Sequence, residues 1–142
     1  MHRIRLRKPW LKATTASFLD DQPLGVDAFK SDVPDTDTSV LPSGTDEFLV
    51  YQRTFNRPTG IADATRVHLQ IDRWAGHLVG VDLNGEVLAH DIAQTDAPLR
   101  IDVTSSLQTG NRLRIGLLAT DQQALLSGEV YLLIENNSSN PA

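Results

Sequence analysis

From Tyr51 to Asn111 the chain alternates apolar and polar residues in short segments, broken by Arg57-Pro58-Thr59-Gly60, Asn84-Gly85 and Gly110-Asn111. A period of two is the period of a strand with one buried face. No helical period longer than a turn competes with it. This pattern restricts the chain to an all-β architecture and says little about chemistry.

The strands can be placed individually. Arg3 to Arg7 sets Ile4 and Leu6 on one face and three arginines on the other, and Trp10 and Leu11 plug a core edge. Phe48–Phe55 is a strand; if Tyr51, Arg53 and Phe55 point inward, Arg53 is expected in an ion pair, because inward charges are normally paired. Arg66–Asp72 turns Val67, Leu69 and Ile71 inward, and Leu78–Leu83 does the same with Val79, Val81 and Leu83. Asn84-Gly85 then predicts a two-residue type I′ hairpin, since both positions must accept φ > 0, with Glu86–His90 as the return strand. Leu99–Val103, Arg112–Leu118 and Glu129–Ile134 complete about eight antiparallel strands, which at this length implies two sheets packed face to face. Each inward Val, Leu or Ile would contribute roughly 1.5–3 kcal/mol on burial. Residues 14–46 lose regularity and read as a long loop with one short strand near Val26–Phe29, and residues 136–142 as a fraying tail.

All 142 residues are expected to form one domain. There is no cysteine, hence no disulfide framework or thiolate metal site. No apolar run reaches the ~20 residues of a membrane helix, and Pro9, Lys12 and Thr14 break up the stretch after the basic start, so no signal peptide is read and the cytoplasm is the default location. A net charge of −5 argues against nucleic acid as the main partner. The charge is uneven: residues 1–12 hold five bases and no acid, whereas residues 13–50 hold eight acids against Lys30. Pairing within the fold or solvation is preferred over phosphate binding.

Taken in order, Val50-Tyr51-Gln52-Arg53-Thr54-Phe55, Pro58, Val67-x-Leu69-x-Ile71, Val79-x-Val81-x-Leu83-Asn84-Gly85, Ile101-Asp102-Val103-Thr104, Leu107, Gly110-Asn111-x-Leu113-x-Ile115 and Gly128-x-Val130-x-Leu132 resemble the N-terminal sugar-binding domain of β-galactosidase and β-glucuronidase type glycoside hydrolases. The resemblance runs from about Phe48 to Ile134, with Val33-Pro34-Asp35 echoing the Val-Pro step before the family's tyrosine strand. It implies a jelly-roll sandwich of the galactose-binding-like superfamily. In that family the catalytic glutamates sit in a following (β/α) barrel that has no counterpart here, so the resemblance carries over no catalytic residue. The motif residues are expected to be scaffold: Asp102 and Thr104 as a turn that accepts backbone N–H groups, and Gly110-Asn111 as a left-handed corner.

Candidate chemistry is sparse. Trp74, flanked by Arg73 and His77 in a loop between strands, is the best platform on which a pyranose could stack, with Trp10 second; the competing reading has Trp74 capping the core. Asp35 and Asp37, with Asp32 nearby, offer alternating oxygen ligands suited to a structural calcium, although the glycine and terminal acid of a dedicated loop are missing and a solvated loop is preferred. His2, His68, His77 and His90 lack metal-motif spacing; His68 and His90 would converge only if their faces agree. None of Glu47, Glu86, Glu129 and Glu135 reads as a pocket acid. The reading is a noncatalytic binding or accessory module, not an enzyme, needing no cofactor, with carbohydrate suggested by resemblance. Its alternative is a structural or protein-interaction domain acting as a homo-oligomer, through Leu78, Leu118 and Leu133 on the outward phase of their strands, with Tyr131 covering the sheet or forming the oligomer face.

Overall fold

The computed structural model describes residues 2–7, 9–15, 28–37, 47–60, 65–120 and 123–136. They form ten strands: β1 (His2–Arg5), β2 (Trp10–Thr15), β3 (Phe29–Ser31), β4 (Phe48–Asn56), β5 (Thr65–Ile71), β6 (His77–Leu83), β7 (Glu86–Ile92), β8 (Leu99–Asp102), β9 (Gly110–Leu118) and β10 (Val130–Asn136). All pair antiparallel, in a four-stranded sheet of order β1-β10-β5-β8 and a six-stranded sheet of order β3-β2-β4-β9-β6-β7. The all-β sandwich expected from the alternation is the fold observed. No helix among the described residues is long and apolar enough to cross a membrane.

The two inner faces meet in rungs. Ile4, Leu132, Leu69 and Ile101 lie side by side across the smaller sheet. Across the larger one, Leu49, Leu117 and Leu78 form one rung and Tyr51, Ile115 and Val81 the next. Nearly all of these side chains are sealed from water and belong to one continuous core. Asn84 and Gly85, at φ 57° and 87°, make the left-handed turn their dipeptide requires.

Three local departures have clear physical causes. First, β3 overlaps at Phe29 the short strand expected near Val26–Phe29, whereas β2 is an additional strand whose last residues, Thr14 and Thr15, lie where a loop is expected to begin. The inward residue at its centre is Lys12, 1% exposed, so the apolar alternation that marks a strand is broken by a charge. Second, Leu78 is in the core and Val79 is half-buried, the reverse of the expected phase. The register against β9 shifts between Leu78 and Gly80, a bulge that inserts Val79 and flips the faces N-terminal to it. Leu78 therefore contributes nothing to an outer apolar face. Third, Gly110-Asn111 opens β9 without a left-handed residue, and the corner is made by the Asn111 side chain instead.

Candidate functional site

The loop that carries Arg73 and Trp74, just before His77 opens β6, is zipped onto the segment before β10. Asp72 and Ala75 donate backbone N–H to Glu129 and Leu125, at 2.9 and 2.8 Å, and Gly128 donates to Arg73 at 2.9 Å. A Cβ on Gly128 would stand 2.4 Å from the Arg73 nitrogen, so the close approach depends on glycine there. This zipper turns the Trp74 ring into the core, where it is 1% exposed. It offers no face on which a sugar could stack. Arg73 stays exposed, and His77 reaches away to Asp91 at 3.4 Å. Trp10, the second platform candidate, is also fully buried and donates its indole N–H to the Leu6 carbonyl at 2.7 Å.

Asp35 is part of a buried ion pair. Its carboxylate accepts from Lys12 Nζ at 2.7 Å, from the Tyr51 hydroxyl at 2.6 Å and from the Asp37 backbone N–H at 2.9 Å, while Lys12 also donates to the Asp37 carbonyl at 2.8 Å. The Leu126 N–H donates to the Tyr51 oxygen at 3.2 Å. Lys12 is thus the cation that the Asp35 carboxylate holds, and the arrangement pins two loops to β2 and β4. Burial, then the Asp35 hydrogen bond, pushes the Tyr51 hydroxyl far above the usual phenol range. Part of the basic N-terminal arm has paired with the acidic stretch, as the preferred reading of the charge pattern expects.

The histidines do not converge as the sequence allowed. His68 lies on β5 and His90 on β7, in different sheets. His90 instead contacts Asp91 at 3.3 Å, and Asp91, held at φ 54°, sits between His90 and His77. The hydrogen bonds from His90 and His77 draw its carboxyl below the ordinary value. Among the described residues no group of three or more His, Cys, Asp or Glu could hold a metal ion.

The outer face of the smaller sheet is a closed polar network. Tyr131 donates to Asp72 at 2.8 Å and accepts from Gln70 at 2.7 Å, Arg100 donates to Gln70 at 2.8 Å, and the Arg3 guanidinium covers the Tyr131 ring at 4.5 Å. Tyr131, 3% exposed, therefore covers its own sheet. Glu129 pairs with Arg5, and Asp102 accepts from the Thr104 hydroxyl and N–H, which holds its carboxyl below the ordinary value. Among the described residues Arg53 makes no ion pair; it donates to the carbonyls of Arg7 and Thr54, both at 2.7 Å, clamping β4 to the N-terminal arm.

Sequence reasoning did not find the cleft at the opposite end of the sandwich. It measures about 590 Å³ and is walled by the end of β4, the Asn84-Gly85 hairpin and the start of β9, including Thr54, Phe55, Asn56, Gln108 and Arg112. Asn111, 4% exposed, builds its floor: it donates to the carbonyls of Phe55 and Gln108 at 3.3 and 2.9 Å and accepts from the Gln108 N–H and Asn84 Nδ2 at 2.8 and 3.0 Å. Asn84 Oδ1 then accepts from the Arg112 N–H at 2.8 Å. No single motif marks the cleft, because its residues lie far apart in the chain; only the density of Asn, Gln and Thr near the hairpin ends hints at it.

No family model and no curated protein matches the chain. Solved structures do. It superimposes on β-glucuronidase from Bifidobacterium dentium with a TM-score of 0.72 at 22% identity, covering 94% of this chain and 30% of that one. For a Faecalibacterium prausnitzii β-glucuronidase the values are 0.75 and 18%, covering 96% and 32%. For a β-D-mannosidase from Dictyoglomus thermophilum they are 0.70 and 12%, covering 94% and 22%. The chain thus spans less than a third of each of these glycosidases while nearly all of it is matched, and what it shares with them is the fold of that part.

Proposed function

We propose that the protein is a noncatalytic accessory module of the kind glycosidases carry beside their catalytic domain, with carbohydrate as its ligand class. The observation that carries the reading is the asymmetry of coverage: at least 94% of this chain against at most 32% of the three glycosidases. Six of the described carboxyl groups support it. A general acid needs a raised pKa, whereas Asp91 and Asp102 are displaced downward, and Asp35, Asp72, Glu86 and Glu129 are each engaged by a neighbouring side chain. The test is an assay of the purified chain on nitrophenyl β-glucuronide, β-galactoside and β-mannoside, together with binding to a glycan array. The expected result is no turnover and selective glycan retention. Turnover that scales with protein concentration would end the noncatalytic reading, and a blank array would end the carbohydrate one.

A second reading, an interaction domain that pairs with another chain, draws on Phe29 and Val87, 56% and 48% exposed on the two edge strands of the larger sheet. Light scattering would identify it by a dimer that Val87→Lys dissolves.

A further inference from the structure

We infer that the cleft between Thr54, Asn84 and Gln108 is a binding site for a hydroxyl-rich ring, a pyranoside. The inference rests on the carbohydrate reading above and supplies its location. Three properties of the cleft lead there. The first is unspent hydrogen bonding. The side chains of Thr54, Asn56 and Gln108 are exposed at the cleft and make no hydrogen bond inside the fold among the described residues. Two carboxamides and a hydroxyl provide both donors and acceptors, which suits hydroxyl groups that must do both at once. The second is charge. Among the described residues no carboxylate lines the cleft and Arg112 is its one cation, so neither a metal ion nor a polyanion is matched. The third is rigidity. Asn111 and Asn84 spend their own bonds on holding β4, β9 and the hairpin together, so the walls are set before any ligand arrives.

Gly110 makes the idea testable without damaging the fold. It faces Asn56 across the β4–β9 ladder, lies at the cleft, and has no left-handed φ. A Cβ built there meets nothing within 4 Å. A valine would therefore fill ligand space and leave the protein's own packing alone.

The experiment is an amide NMR titration of the whole chain with methyl β-galactoside, methyl β-glucuronide and mannotriose. The expected result is saturable shifts in the side-chain amides of Asn56 and Gln108 and in the backbone of residues 54–57 and 108–112. Gly110→Val should abolish them while other resonances stay in place. Gln108→Ala should weaken affinity about tenfold, the worth of one or two hydrogen bonds. Tryptophan fluorescence is expected to stay silent, because both indoles are buried away from the cleft. Shifts that map to another surface, or that survive Gly110→Val, would overturn the cleft and leave the carbohydrate reading standing. No shift with any of the three sugars, alongside a blank array, would remove both.

Discussion

The Lys12–Asp35–Tyr51 knot and the hairpin-end cleft are both built from polar side chains, yet they sit at opposite extremes of use. In the knot every hydrogen-bonding group is turned on another inside the fold, and Lys12 and Asp35 are 1% and 4% exposed. In the cleft Asn84 and Asn111 are consumed as scaffold while Thr54, Asn56 and Gln108 are left over. The lesson is that charge and apparent ligand geometry are poor guides to function until each group's partner is known. Asp35, which the sequence offers as an oxygen ligand in a loop read as solvated, is instead held in a buried ion pair that clamps the loop to β2 and β4.

The sharpest way to break this comparison is to remove one partner from the knot. Asp35→Ala leaves the Lys12 ammonium buried without its counter-charge and is expected to cost about 3–5 kcal/mol in urea unfolding. Adding Lys12→Met should restore much of the loss. A single mutant within about 1 kcal/mol of wild type would show that the pair is not sealed from water. In the cleft the corresponding change, Asn111→Ala, withdraws four hydrogen bonds at the start of an interior strand and is expected to cost about 2 kcal/mol. Were it as severe as Asp35→Ala, the two regions would not differ in kind.

The third prediction uses pH. Tyr51 is raised in the folded state above its ordinary 10.0, so the protonated phenol is what the fold stabilises. Its contribution is complete below about pH 10 and declines above it, as the unfolded chain ionises first. Chemical denaturation between neutral pH and about pH 11 should show that decline, and Tyr51→Phe should flatten it, leaving the slope due to Tyr131, which burial and Asp72 also shift upward. An unchanged slope in the mutant would mean that Tyr51 is not the group responsible. The smallest effect is expected from Gly110→Val, within about 0.5 kcal/mol of wild type, because the added side chain enters open space. A large loss there would show that the cleft is part of the packed structure.

Legibility followed the burial pattern. β5, β8, β9 and β10 were readable because their inward residues are aliphatic and alternate without interruption, and the Asn84-Gly85 turn because so few residues accept its dihedrals. β2 was hidden by Lys12, and of the inner face of β6 only the N-terminal end was misread, Val79 for Leu78, because a bulge leaves no trace in composition, whereas Val81 and Leu83 point inward as expected. The position of Trp74 depended on Gly128, some fifty residues away, which permits the loop to close over the ring.

The sequence by itself determined the two-sheet sandwich, since alternation, turn dipeptides and the absence of a helical period are local properties that each segment carries alone. Only the tertiary structure decided which polar residues are spent on one another and which remain for a ligand. That division is a matter of pairing between distant segments, Lys12 with Asp35 and Asn84 with Asn111, and a one-dimensional pattern holds no record of distance in space.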